Sequence, residues 1–308
     1  MQKVRYNHLN TYLKSLFGER TLKICVDGDF TCPNRDGSKS TQGCLFCGEM
    51  GAGDLIKHRT CETLKSIVSQ VNGFLGSYRG ERANKFIVYF QSFSNTYDTI
   101  ENLKLKYDTA LACSQKIVGL EVATRPDCIS EEVARLLASY KDKFYVCVEL
   151  GLQTSNDDIG NKINRYYSSE DFSRAVSILH KYKIPVVAHL MVGLPDEKED
   201  DILGSVEFIN NCKCEGVKIH STYVMERTGL EAMYKQGKYV PITQEYYVDM
   251  VAKIVSRLNE NIVIHRINAD PPKDKLTAPD WVLRKKIVIN AINRKLDDLN
   301  ITQGDRKY

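Results

Sequence analysis

Six times along this chain of 308 residues a short apolar run rich in β-branched side chains appears, at 22–26, 86–90, 117–122, 144–150, 184–192 and 216–220, with a further candidate at 262–267. Between the runs, apolar residues return with a helical period. Leu64, Ile67, Val68 and Val71 share one face, as do Val133, Leu136, Leu137 and Tyr140, and again Phe172, Ala175, Val176 and Leu179. Ser130 is placed to cap the second of these helices, with Glu131 and Glu132 set favourably in its first turn. Strand, crossover helix and strand, repeated with right-handed crossovers, build a parallel sheet. Periodicity leaves two α/β architectures open, a doubly wound sheet and a barrel.

With 43% hydrophobic and 27% charged residues the chain can bury a substantial core, which excludes wholesale disorder. Its longest nearly apolar stretch, 184–194, contains His189 and falls well short of the ~18 residues that span a bilayer. No membrane partner is expected. Residues 1–8 hold no apolar signal region, so a cytoplasmic protein is expected, and in a reducing cytosol ten cysteines read as metal ligands or buried thiols. One continuous domain is expected: 1–215 would carry the first five strands, and 216–308 the last core strand and a C-terminal extension that covers the substrate. Asp270-Pro271-Pro272-Lys273 marks a break before a terminal helix. From Pro271 onward nine Lys/Arg stand against five Asp/Glu, a segment that could track phosphates or simply present a solvated helix face.

Chemistry concentrates directly after the first run, where Cys32, Cys44 and Cys47 form a Cys-x11-Cys-x2-Cys pattern. The close pair converges on one centre, and Cys32 joins them if its loop folds back, which Gly37 and Gly43 ease. Three thiolates on a four-iron cluster leave one iron open, whereas four thiolates close a structural zinc site. Cys25 would supply that fourth ligand, although its place in the first strand suits a small buried thiol. Cys147 reads as core, and Cys212-x-Cys214 does not assign an auxiliary cluster.

Three further segments, Glu149-Leu150-Gly151-Leu152-Gln153-Thr154, Asn164-Arg165 and Leu190-Met191-Val192-Gly193-Leu194-Pro195, are similar to the radical S-adenosylmethionine (SAM) core of the Elongator catalytic-subunit and oxygen-independent coproporphyrinogen oxidase branches. Thr31-Cys32-Pro33-Asn34-Arg35-Asp36-Gly37, Tyr89-Phe90-Gln91, Ala123-Thr124-Arg125-Pro126-Asp127, Lys218-Ile219-His220 and the tail around Trp281 resemble the YtqA/YhcC family of Elongator-like radical SAM proteins along nearly the whole chain. One departure is Ser40-Thr41-Gln42, where the family is richer in glycine.

The resemblance implies a partial (β/α)6 TIM-like barrel with its site at the C-terminal ends of the strands. It implies that Cys32, Cys44 and Cys47 ligate one [4Fe–4S] cluster whose open iron is chelated by SAM, with Phe46 beside the adenine. By the same resemblance Glu121 and Gln153 contact the ribose and Arg165 takes the methionyl carboxylate. His189 contacts the ribose or is a satisfied core histidine. Gln91 and Ser94 stand where the superfamily contacts the SAM amino group, and Gly193 forms a turn beside the adenine. The chemistry supplied is reductive cleavage of SAM to methionine and a 5′-deoxyadenosyl radical, which takes a hydrogen from the substrate. A one-electron reductant such as flavodoxin or ferredoxin is implied.

The resemblance also implies a substrate, the wobble uridine of tRNA, with carboxymethylaminomethyl uridine converted to aminomethyl uridine. His265, Arg266, Lys273, Lys275, Arg284, Lys285, Lys286, Arg294 and Lys295 supply cations for RNA, and Trp281, Tyr246 and Tyr247 offer stacking faces. Trp281 serves equally as an anchor for the terminal helix, and no RNA-binding fold signature is present. Two alternatives remain: a radical enzyme acting on a small molecule or peptide, and a non-catalytic, metal-stabilised tRNA-binding protein with Cys25 as its fourth ligand.

Overall fold

A computed structural model describes residues 5–51 and 56–308; part of the 1–8 stretch on which the absence of a signal region was argued lies outside the described residues. In chain order the elements are α1 (Leu9–Phe17), β1 (Thr21–Val26), α2 (Thr63–Leu75), β2 (Lys85–Phe90), α3 (Ile100–Leu111), β3 (Ile117–Thr124), α4 (Glu131–Ala138) and β4 (Tyr145–Gln153). There follow α5 (Asp157–Lys162), α6 (Ser169–Lys181), β5 (Val186–Val192), α7 (Glu199–Asn211), β6 (Gly216–Ser221) and β7 (Val224–Met225). The chain ends with α8 (Gly229–Lys235), α9 (Gln244–Arg257), β8 (Val263–Arg266), β9 (Leu276–Ala278) and α10 (Lys285–Asp298). Local chemistry sets several of these limits. Ser130 Oγ accepts the Val133 N–H at the start of α4, with Glu131 and Glu132 in its first turn. Strand β5 begins after Pro185, which has no N–H to give to a ladder.

Seven strands lie parallel in the order β1-β2-β3-β4-β5-β6-β8, so the candidate at 262–267 is a seventh strand of the sheet, one more than the six of the expected partial barrel. At about 4.8 Å between neighbours a flat sheet would hold β1 and β8 roughly 29 Å apart. Instead Lys23 Nζ of β1 lies 3.4 Å from His265 Nδ1 of β8. The sheet is therefore curled until its two edges face each other across a side-chain contact, a partial TIM-like barrel without a closing ladder. Helix α1 packs against both edge strands and spans this seam, and His8, just before it, bridges to Ile264.

On the outer face, Phe86, Val88 and Phe90 of β2, with Leu120 and Val122 of β3, are buried in one core with Ile67 and Val71 of α2 and Leu103 and Tyr107 of α3. Beyond β6 the chain turns back over the C-terminal ends of the strands. Strand β7 pairs antiparallel with β9, and the Leu230 N–H of α8 donates to Leu45 O of the cysteine loop at 2.8 Å. Trp281 is 5% exposed; its Nε1–H donates to Ile242 O at 3.1 Å and its ring packs, tilted, with its centroid 5.4 Å from that of Tyr247, itself fully buried. Both are anchors of the extension rather than stacking faces for a base, and of the three aromatic candidates Tyr246 alone keeps partial exposure. Several tail cations are spent on carboxylates, Lys295 on Asp249 at 2.7 Å and Lys285 on Asp270 at 3.0 Å. No helix among the described residues is long and apolar enough to cross a membrane.

Candidate functional site

The cysteine loop is a set of turns closed by its own backbone. Cys32 O accepts from Arg35 N and Asp36 N, Asn34 O accepts from Gly43 N at 2.8 Å, and Cys47 N donates to Cys44 O. Gly37 and Gly43 take φ of 94° and 73°, and a Cβ on Gly43 would stand 3.0 Å from the Arg35 guanidinium. Arg35 in turn donates to Cys47 O and Gly48 O at 2.8 and 2.7 Å, drawing the Cys-x2-Cys end back over the first turn. Asn34 Nδ2 donates to Asn164 O at 2.6 Å and lies 3.4 Å from Cys44 Sγ. Burial, then the neighbouring Cys47 thiol, pushes Cys44 up to about 12, and Cys32 adds to the rise. The loop thus draws the three cysteines to one end of the sheet, and a cavity of about 320 Å³ is lined by Cys44 and Cys47 together with Arg227 and Gly229.

Cys25 is elsewhere. The residue is exposed, on the wall of the concavity inside the curled sheet, where burial by that wall raises its thiol while Lys218, Lys23 and Arg266 pull it down and Glu149 adds to the rise. This corrects both expectations for Cys25, as a fourth ligand and as a buried thiol. A further thiol, Cys128 after β3, is raised to about 12 by burial and then by the Asp127 carboxylate, with Cys32 adding to the rise. Arg125 was not assigned a role from the sequence, although its motif was part of the resemblance. It is paired through Nε and Nη2 with Asp127, both at 2.9 Å, lies 4.7 Å over the Tyr167 ring, and acts electrostatically on Cys32 and Cys44.

The remaining predicted residues divide between the rim and the interior of the sheet. On the rim, Phe46 packs against Ile159, Ile163, Met191 and Leu194. Gly193 takes φ 91°; a Cβ there would stand 2.8 Å from Ile242, its N–H donates to Glu197 Oε2 and its carbonyl accepts from Tyr239 Oη, both at 2.7 Å. The turn after β2 meets the end of β1 and the start of the cysteine loop through its backbone: Gln91 N donates to Val26 O and Ser94 N to Thr31 O. Gln153 sits at a β-bulge of β4 with φ 61° and accepts from Tyr167 Oη at 2.6 Å. Arg165 is completely buried, and four of its five N–H groups are engaged, by Tyr167 O, Leu152 O, Thr154 O and Asp157 Oδ1. It positions the segment after β4, and one of its N–H groups is left without a protein acceptor.

Inside the sheet, Glu149 collects charge from five strands. Its Oε2 accepts from Tyr89 Oη at 2.5 Å and Lys218 Nζ at 2.5 Å and lies 2.7 Å from His189 Nε2; its Oε1 accepts from Lys23 Nζ at 3.1 Å and lies 3.8 Å from His265. Burial opposes its charge, but Lys218 and Lys23 outweigh burial and hold the carboxyl well below the usual range. Glu121 is completely buried beside it, 2.5 Å from Lys23 Nζ. Burial pushes Glu121 up to about 8, with Lys23 pulling it down and Glu149 up. In this geometry Glu121 belongs to the charged floor with Lys23. His189 is held neutral chiefly by burial, against Glu149.

Do these residues suit a [4Fe–4S] cluster with SAM? Among the described residues only Glu121, Glu149 and His265 bring three ligand atoms within 4.8 Å of one another, and the Lys23 ammonium already occupies that place. Cys32, Cys44 and Cys47 do not form such a tight single-ion set, and three thiolates are the number that a four-iron cluster with one open iron takes. Near the C-terminal ends of the strands, Ser92 Oγ, Ser221 Oγ, Thr222 Oγ1, His220 Nε2 and Asn268 Oδ1 are buried without a hydrogen-bond partner. Buried polar atoms are paired in folded proteins, and a polar ligand lying across the strand ends would pair them. The residues fit the group.

A curled parallel sheet with a three-cysteine loop over its C-terminal end defines a radical SAM enzyme. The chain belongs to the radical SAM superfamily, in its Elongator-like branch: residues 37–209 match the superfamily and residues 214–298 its C-terminal domain. It is 33% identical over 300 residues to the uncharacterized protein YtqA of Bacillus subtilis, covering 97% of this chain and 92% of that one. It is 32% identical over 178 residues to the tRNA uridine(34) acetyltransferase of Dehalococcoides mccartyi, 56% of this chain and 37% of that protein. The archaeal Elp3 of Methanocaldococcus infernus shares the fold with a TM-score of 0.68 at 18% identity, over 92% of this chain and 64% of that one. The cofactors of the superfamily are a [4Fe–4S] cluster and SAM.

Proposed function

We propose that this enzyme modifies the wobble uridine of tRNA, converting carboxymethylaminomethyl uridine to aminomethyl uridine in the cytoplasm with electrons from a flavodoxin or ferredoxin. The observation that carries the reading is the likeness, over more than half the chain, to a protein named for acting on tRNA uridine 34. In this reading Cys32, Cys44 and Cys47 hold the cluster, Phe46 and Gly193 flank the adenine, and Gln91, Gln153, His189 and the remaining N–H of Arg165 contact SAM. When bound, the pair supplies a carbon radical able to take an unactivated hydrogen. The chain contributes the cavity between the cysteine loop and the start of α8, and in this reading the C-terminal extension shields that radical from water. Displacement of Cys25 from the cysteine loop argues against the four-thiolate, non-catalytic alternative.

Nucleoside mass spectrometry of tRNA from cells with and without the gene tests the reading. The expected result is accumulation of carboxymethylaminomethyl uridine with loss of its aminomethyl or methylaminomethyl successor. An unchanged profile, in an organism that makes these nucleosides by no redundant route, overturns it in favour of a small-molecule or peptide substrate.

A further inference from the structure

Three cations line the interior of the curled sheet, and two of them are matched: Lys23 lies against Glu121 and Glu149, and Lys218 against Glu149. The third, Arg266, is not. Its orientation follows from the register of β6 and β8. An irregularity at Val217/Lys218 sets His265 out of step and places Arg266 directly opposite Lys218. Residues paired across adjacent strands point to the same face, and the Lys218 ammonium points inward, to Glu149 and to Tyr89 Oη at 3.1 Å. Arg266 is accordingly half-buried on the inner face, and among the described residues it has no hydrogen bond and no ion pair. Its charge nonetheless reaches the inner wall, acting on Lys218, His189, His220 and Cys25. His220, two residues beyond Lys218, carries a buried Nε2 with no partner, its ring 5.3 Å from that of His189.

A half-buried guanidinium without a counter-charge is unfavourable in isolation, and its planar fork of donors matches a carboxylate. We propose that Arg266, with His220 beside it, is a carboxylate subsite in the recess, and that it binds the carboxylate of the substrate's side group rather than that of SAM. This deepens the wobble-uridine reading and rests on it for the identity of the substrate: the group to be removed from carboxymethylaminomethyl uridine ends in a carboxylate, and its aminomethyl product does not. A subsite that pairs with the carboxylate distinguishes the two, because the product leaves Arg266 unpaired again.

The thiol of the exposed residue Cys25, on the same wall, is a built-in reporter. The reconstituted enzyme is alkylated anaerobically with iodoacetate or iodoacetamide, and the rate at Cys25 is read by peptide mass mapping. A change in thiolate fraction alters both rates alike, so their ratio isolates attraction of the anionic reagent. The ratio is expected to fall about tenfold or more in Arg266→Gln, and N-methylglycine, but not its amide, should slow iodoacetate in the wild type, a measurement that needs no variant. An equal ratio in both proteins together with no protection overturns the subsite, whatever the enzyme's substrate. With tRNA from cells lacking the gene, Arg266→Gln should raise KM about tenfold while iron content and SAM affinity stay unchanged. Weakened SAM affinity with unchanged tRNA kinetics would overturn the assignment to substrate. A shifted alkylation ratio in an enzyme that turns over no tRNA would uphold the carboxylate site and sink the tRNA reading.

Discussion

Cys47 and Glu149 show how differently two residues of one site can be tested. Cys47→Ala removes one of the three loop thiols while leaving the Arg35 contacts to the backbone of Cys47 and Gly48 available. It should yield a folded protein without the visible absorption of an iron–sulfur cluster; an intact, SAM-cleaving cluster in that variant would refute the ligand set. Glu149→Gln instead strips the counter-charge from Lys218 in a buried setting and leaves Lys23 with Glu121 alone. Breaking such a pair by removing one partner costs about 3–5 kcal/mol, so urea unfolding should report a loss of that order, with an unchanged midpoint dismissing the network as structural support. The three-cysteine loop was legible in the sequence because its spacing is local. The contacts of Arg165 were not, since three of its acceptors are backbone carbonyls, of Leu152, Thr154 and Tyr167, and carry no side-chain signature. Trp281 had two readings in the sequence, and only packing against Tyr247 and Ile242 decides between them.

Among the elements, the turn leaving β5 is the most exacting. Gly193 combines a left-handed backbone with a near contact to Ile242, and both act against a side chain. Gly193→Ala should therefore lose about 1–3 kcal/mol, read as a lower denaturant midpoint; a neutral result would show that Ile242 and the turn yield freely. Glu197 clamps the same turn by accepting from the N–H groups of Gly193 and Leu194. Burial outweighs those two donations and pushes its carboxyl up from 4.5 to about 8. A folded-state value above the unfolded one gives stability that is complete below pH 4.5 and is lost as pH rises toward 8. Thermal midpoints followed across that window should fall in the wild type, and the part of the slope due to Glu197 should vanish in Glu197→Gln. An identical slope in both proteins would remove Glu197 as its source. Strands β1 to β6 were legible from their β-branched runs. Strand β8 was only a candidate because it is short and its last two residues, His265 and Arg266, are polar; their inward direction comes from the register with β6.

At the scale of the whole molecule the two ends of the described chain are fastened together on β8. Arg5 donates to Asp297 at 2.7 Å and to Asn300 at 2.8 Å, Asn7 N donates to Gln303 Oε1 at 2.8 Å, and Asn7 O accepts from Ile264 N of the edge strand. Deleting residues 299–308 removes part of this fastening, so the thermal midpoint should drop, with faster amide exchange at Ile264 than in the full chain. Unaltered exchange there would show that α1 alone guards the edge. None of this could be read from composition, because it depends on segments nearly 300 residues apart in sequence meeting at one strand.

The edges of the sheet meet through Lys23 and His265 and under α1, with no ladder between them. In mechanical terms the molecule is a split ring. Its back is β4, with three strands to either side, and its gap is fastened by side chains, by α1 and by the Ile264 N–H to Asn7 O bond. Widening such a gap would part those fastenings and leave every ladder of the seven-stranded sheet intact. The width of the bore is thus set by a few contacts at the seam rather than by the sheet itself.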